Sequence, residues 1–152
     1  MGRPADTVVI RNRRARYDYL VLDSFESGIV LAGSEVKSIR AGRANLQDAY
    51  ARVEDGELWL HGMHIAPYEF SRAELDPIRR RKLLLHRKEI DRLYGQVREK
   101  GLTVVPTRLY FKDGRVKVEL ALARGKDVRD KRRDVADRDA KRQIERALKA
   151  RR

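Results

Sequence analysis

The sequence predicts a mainly β domain with a few helices set around it and a separate basic tail. Two Asp-Gly pairs, Asp55-Gly56 and Asp113-Gly114, each stand between segments of alternating polarity, the strongest short-range mark of a two-residue hairpin turn. Between two strand-rich blocks, residues 33–43 form one short helix with its own start and stop signals. Past Gly125 the apolar alternation ends and charged residues dominate.

At 152 residues the chain is the size of one domain with one sizeable core. Thirty-six Lys and Arg against 23 Asp and Glu give a net charge of +13, which points to a polyanionic partner, RNA or DNA before an anionic membrane surface. No apolar run approaches the ~20 residues of a spanning helix, and Met1 to Asp6 has neither the apolar stretch of a signal peptide nor a myristoylation pattern. The expected location is the cytoplasm. With no cysteine there are no disulfides and no thiolate metal sites.

In chain order, residues 1–11 lack periodicity and are expected to trail as a flexible N-terminus. Asn12-Arg13-Arg14-Ala15-Arg16 then sets three guanidinium groups before a first strand, Tyr17 to Phe25. Glu26-Ser27-Gly28 has turn composition and is expected to fold this strand back onto Ile29 to Ala32. In the short helix Ser34 is the expected N-cap and Gly42 the stop. Glu35 suits its first turn, Lys37 and Arg40 its last. Val36, Ile39 and Ala41 make a small apolar side, so the helix reads as a plug across the end of a sheet or barrel, with a basic outer side.

Strands are expected over Gln47 to Glu54 and Glu57 to His61. Pairing Glu54 with Glu57 sorts Ala49, Ala51, Val53, Leu58 and Leu60 to the apolar face, and Tyr50, Arg52, Trp59 and His61 to the other. Pro67 to Pro77 reads as a loop, and Leu83-Leu84-Leu85 as a buried strand end. Ile90, Leu93, Tyr94 and Val97 recur at helical spacing over Arg87 to Lys100, with Gly101 as a stop. A second hairpin joins Thr103–Lys112 to Arg115–Ala123. Its inner face carries Leu109, Phe111, Val116, Val118, Leu120 and Leu122, and its outer face Arg108, Tyr110, Lys112, Arg115 and Lys117. Cations interleaved with an aromatic ring are what phosphate contact and base stacking require.

Residues 128–152 hold eleven Lys and Arg against five acids, a net of +6. Their apolar content is too small to offset the entropy of ordering, so the tail is expected to be disordered when free. Even so, Asp134 with Arg138, Asp137 with Lys141 and Glu145 with Lys149 are acid-before-base pairs at i, i+4. Ala136, Ala140, Ile144, Ala147 and Leu148 form a thin stripe, the pattern of a helix that waits for a groove.

Signs of catalysis are weak. Ser34-x-x-Lys37 matches one element of the penicillin-recognising acyl enzymes, but the companion elements are missing and helix capping explains the serine. His61 and His64 point to opposite faces of a strand, so no metal site is expected, nor any cofactor. No phosphate-binding Gly-rich loop occurs. What remains is a binding module.

The ordered set Asn12-Arg13-Arg14-Ala15-Arg16, Gly33-x-Glu35-Val36-Lys37-Ser38 with Arg40, Asp76-Pro77, Arg81-Lys82-Leu83-Leu84-Leu85 and Ala123-Arg124-Gly125-Lys126 resembles the small protein B family, the SsrA-binding proteins. The resemblance covers about residues 12 to 152. It implies an antiparallel barrel of the oligonucleotide-binding type over residues 12–127, with flanking helices and a basic tail over 128–152 that becomes helical on the ribosome. It further implies a bacterial cytoplasmic factor, not an enzyme, that binds the tRNA-like domain of transfer-messenger RNA in trans-translation, the rescue of stalled ribosomes. The implied partners are that RNA, the small ribosomal subunit with its rRNA and, through the RNA, elongation factor Tu and alanyl-tRNA synthetase. The alternative class is a structural ribosomal RNA-binding protein.

Residue by residue, the resemblance implies RNA contacts at Asn12, Arg13, Arg14, Glu26, Leu84 and Lys117, and contacts near the decoding centre at Tyr17, Gly125, Lys126, Asp130, Lys131 and Arg132. Glu26 is the informative one, because a carboxylate accepts hydrogen bonds from base or ribose donors and so selects in a way that a lysine cannot. Two positions depart from the family pattern: Tyr17 stands where a histidine is usual, and Asp127 where a second lysine is usual. Tyrosine can stack on a base but cannot become cationic, and Asp127 reverses a charge.

Overall fold

A computed structural model of the chain describes residues 7–70, 74–126 and 128–150. In chain order its elements are β1 (Thr7–Arg11), α1 (Arg13–Asp18), β2 (Tyr19–Ile29), α2 (Gly33–Arg40), β3 (Ala44–Asn45), β4 (Tyr50–Glu54), β5 (Glu57–His61), β6 (His64–Ile65), β7 (Arg81–Leu84), α3 (Arg87–Lys100), β8 (Thr103–Lys112), β9 (Arg115–Gly125) and α4 (Val128–Ala150). Seven strands form one antiparallel sheet in the order β1-β8-β4-β5-β7-β2-β9, and β8 also pairs with β9, so the sheet closes on itself as a barrel. One edge of β8 runs along β9. The other takes β4 at Val104 and then β1 over residues 108–111.

Both hairpins have the turn the sequence predicts. Asp55 and Gly56 have φ of 51° and 76°, and Asp113 and Gly114 have 52° and 77°, the doubly positive pattern of a type I′ turn. Glu54 pairs with Glu57, so Leu58 and Leu60 point into the barrel and meet Leu83, Leu109, Val118 and Leu120, all buried. Full burial of each such side chain contributes about 1.5–3 kcal/mol. Helix α3 has its predicted bounds and ends at Gly101 in the left-handed region. Ile90 and Leu93 are buried by it, whereas Tyr94 lies outside the stripe and is exposed.

The structure corrects several expectations. Thr7–Arg11 does not trail but pairs with β8, where Ile10 joins the core. Residues 13–18 are a helix, and β2 begins only at Tyr19. β2 runs straight through Glu26-Ser27-Gly28, because β9 is long enough to pair with it from Tyr19 to Gly28. The small residues serve a close approach rather than a turn: a Cβ on Gly28 would sit 3.2 Å from the Leu84 Cβ, and Ser27 Oγ donates to the Leu84 carbonyl at 3.3 Å. Residues 46–49 form a turn, so β4 starts at Tyr50. Leu84 is not a buried strand end, for only Leu83 points inward.

The plug helix α2 is present, but Ser34 does not cap it. The N-cap is Ala32, and Glu35 reaches back to accept its N–H at 3.0 Å. Gly42, at φ 74°, ends the helix, where its own N–H donates to Ile39 and that of Arg43 to Ser38. Ile39 is fully buried while Ala41, at the C-cap, is exposed. Below the helix Glu35 meets two arginines. The Arg81 side chain has no exposed surface and donates from Nε at 2.9 Å and from Nη2 at 2.7 Å to Glu35 Oε2, and to the carbonyls of Met63 and Pro77. Arg79 also binds the same carboxylate.

Burial opposes ionisation of Glu35, but hydrogen bonds from Arg79, the Ala32 N–H and Arg81 outweigh it and hold the carboxyl below its usual range. Stability from this group is therefore complete above the ordinary carboxylate pKa, about 4.3, and is lost as pH falls through the lower folded value. We expect Glu35→Gln to cost about 3–5 kcal/mol in urea unfolding near neutral pH, because it leaves Arg81 buried without its counter-ion. The acid limb of stability against pH should also flatten in the variant. A cost below about 1 kcal/mol would mean that the pair does not hold the plug.

Candidate nucleic-acid interface

Directly paired residues of an antiparallel ladder share a face. Arg11, Arg108, Glu119 and Glu26 follow one another across β1, β8, β9 and β2, all on the outer surface. The next row holds Tyr110, Lys117, Gly28 and Leu84 across β8, β9, β2 and β7. Three residues implicated from the sequence, Glu26, Leu84 and Lys117, thus come together, and with Gly28 and His86 they line an open cleft of about 340 Å³. Leu84 is 51% exposed there, an apolar floor beside a carboxylate and an ammonium group.

Glu26 is held in place. Tyr110 Oη donates to its carboxylate and Lys112 Nζ lies 3.4 Å from it. The tyrosine hydrogen bond, aided by Lys112 and Lys117 against a small burial effect, keeps the Glu26 carboxyl below its ordinary range. The reciprocal effect, together with burial, raises the Tyr110 phenol. Tyr110 is therefore buried although it stands on the outer wall, where the sequence suggested an exposed stacking ring. Beside it Arg108 binds Glu119 at 2.8 Å and covers the Tyr110 ring at 4.8 Å, whereas Lys117 makes no ion pair among the described residues.

Asn12 is buried, and its side-chain hydrogen bonds go to the fold itself. It caps α1 by accepting from the Ala15 N–H at 3.2 Å, and its amide donates to the carbonyls of Leu46 at 3.1 Å and Pro106 at 2.8 Å. Its effect on the surface is to fix α1, which carries Arg13, Arg14 and Arg16. Arg14 pairs with Asp18 at 3.1 Å, one turn along. Arg13, Arg16 and Tyr17 line a second, larger cavity of about 760 Å³ with Arg11, Arg108, Lys126 and, from α4, Asp137 and Arg138.

Across 142 residues, 9 to 150, the chain matches the family model described as SmpB protein. The chain belongs to the SmpB family. An SsrA-binding protein of Moorella thermoacetica is 59% identical over 153 residues, covering 99% of this chain and 98% of its own. Another, of Desulforudis audaxviator, is 55% identical over 150 residues, covering 98% of each. A solved structure described as "tmRNA-SmpB: a journey to the center of the bacterial ribosome" is 52% identical and superposes with a TM-score of 0.68 over 84% of this chain and 94% of its own.

The second cavity gathers the other residues that SmpB membership singles out. Lys126 donates from Nζ to the Arg16 carbonyl at 2.7 Å and from its backbone N–H to Asp18 at 2.8 Å, while Gly125 pairs with Tyr19, so Tyr17, Gly125 and Lys126 share one end of the barrel. Arg132 is exposed on α4. Asp127 and the side chains of Asp130 and Lys131 lie outside the described residues. Sequence reasoning missed Arg11 and Glu119. Alternation with Arg115 and Lys117 puts Glu119 on the wall, but Arg11 gave no signal while its segment was read as trailing. Among the described residues no three metal-ligating side chains converge.

Tyr110→Phe removes the strongest restraint on Glu26. By side-chain NMR titration, the Glu26 carboxyl should rise toward the ordinary glutamate pKa in this variant while the fold persists. An unmoved titration would mean that the tyrosine does not set the charge of the cleft.

Proposed function

We propose that the chain binds the tRNA-like domain of transfer-messenger RNA and carries it to stalled ribosomes for trans-translation. The observation that supports this best is the convergence of Glu26, Leu84 and Lys117 on one outer wall of a chain of this family. Lys117 and the α1 arginines meet phosphates, Leu84 packs against a base or ribose, and the fixed Glu26 carboxylate accepts from a base or ribose donor. Asn12 acts by positioning α1. The barrel domain runs from β1 to Lys126. Elongation factor Tu and alanyl-tRNA synthetase are engaged through the RNA, the chain supplies no catalytic step, and the work is done in the cytoplasm.

Tyr17, Gly125 and Lys126, with Asp130, Lys131 and Arg132 at the start of the tail, face the rRNA of the small ribosomal subunit in this reading. The tail then follows the empty mRNA path as a helix. All described side chains of α4 are exposed, including Val135, Ile144 and Leu148, so little tertiary packing supports that helix in the free protein. In solution the tail is largely unfolded, and it orders when a groove receives the stripe.

Two measurements test the reading. With about 4–6 phosphates neutralised, binding of the tRNA-like domain should show a log-log salt slope of about −3 to −5. Glu26→Ala should weaken this cognate complex by roughly 1–3 kcal/mol while slightly strengthening nonspecific RNA binding, since it removes a negative charge. If both affinities rose together, Glu26 would be a bystander.

Removal of residues 128–152 should leave the fold intact and lower cognate RNA binding only modestly, but abolish tagging of a reporter protein translated from an mRNA without a stop codon. Ile144→Pro should resemble the deletion in tagging and the wild type in RNA binding. Normal tagging by the truncated protein would reduce the tail to a solvated charge run.

A further inference from the structure

The basic outer side of the plug helix is used by neither the cleft nor the tail. Lys37 and Arg40 stand one turn apart on the exposed side of α2, and Arg43 follows its end. None of the three has a carboxylate partner among the described residues. Lys37 Nζ lies 5.2 Å from the centre of the Tyr68 ring, which meets Phe70 edge-on at 5.7 Å. Phe70 is 78% exposed, more than any other large apolar side chain described.

This segment is fastened to the helix. Ser38 Oγ donates to the Ala66 carbonyl at 2.7 Å, and the Ala66 N–H donates to the Arg43 carbonyl at 2.9 Å. Arg40 is set as well, with its guanidinium 4.7 Å over the Phe111 ring. Unpaired cations around an open ring are the chemistry that receives a sugar-phosphate backbone with an unpaired base. A protein interface centred on Phe70 would need an apolar surround. Here the ring's neighbours are Tyr68 and cations, with Glu69 the one carboxylate of the 66–70 segment.

We propose that this face of α2 and residues 66–70 is a second RNA-contact surface, which takes phosphates on Lys37, Arg40 and Arg43 and stacks an unpaired base on Phe70. The inference rests on the reading of the chain as an RNA-binding protein, but it shares no residue with the cleft around Glu26.

The test uses the full-length protein, its Phe70→Ala variant and its Lys37→Ala/Arg43→Ala variant, with transfer-messenger RNA and purified small ribosomal subunits as probes. Phe70→Ala should weaken binding to one of the two by about 5- to 150-fold with the salt slope unchanged. The double variant should make the slope for that same probe shallower by about 1.4–1.8. Wild-type affinity of both variants for both probes would overturn the inference. So would normal RNA binding combined with failed tagging, because the face would then serve a protein. Failure of the wild-type protein to bind either probe would instead overturn the RNA-binding reading itself, and this inference with it.

Discussion

Arg81 cannot leave water without a partner, and its pairing with Glu35 ties together parts of the chain that are 46 residues apart. Glu35 belongs to the plug helix and Arg81 to β7, and the same guanidinium collects the carbonyls of Met63 and Pro77. The long connection from β6 to β7 is therefore held at both ends. β7 is a short strand between β5 and β2, and with Arg81 fixed inward the alternation sends Leu83 into the core and Leu84 out. The apolar floor of the cleft thus follows from a buried charge three residues earlier.

Barrel closure imposes the rest. An interior filled by Leu, Val and Ile forces the cations of this +13 chain onto the outer surface, where charge alone would hold any nucleic acid. Discrimination needs groups that lose energy with the wrong ligand. Two carboxylates inside the wall have this character, and they are treated differently. Glu119 is neutralised by Arg108, while Glu26 is oriented by a tyrosine hydroxyl and keeps capacity to accept from a ligand. Positive surroundings with one fixed acceptor favour a particular RNA shape over polyanions in general.

What the sequence disclosed followed the range of the interaction concerned. The Asp-Gly turns, the α3 stripe and the stop at Gly42 depend on neighbours a few residues away, and all are found where local chemistry put them. Glu26-Ser27-Gly28 misled because its composition suits a turn, whereas its small side chains admit Leu84 from a strand 57 residues on. Ser34 misled by one register step, since Glu35 alone closes the helix start on Ala32. At the interface, Lys117 and Arg108 were legible from alternation. The inward hydrogen bonds of Asn12 and the Tyr110 clamp on Glu26 were not, for they join residues up to 94 apart.

Barrel and tail divide the work according to how each is stabilised. The barrel has its own core and can hold a fixed binding wall, while the tail has charge and helical pattern but little apolar surface, so its order depends on where it docks. The central claim is that this combination serves one discrete RNA that visits the ribosome, and the most direct measurement is sequencing and quantification of the RNA that co-purifies with the full-length protein from cells. The account predicts one enriched species, transfer-messenger RNA, in amounts comparable to the protein and well below those of ribosomes. Recovery of ribosomal RNA alone, with the protein stoichiometric to ribosomes, would contradict it and make the chain a structural ribosomal component.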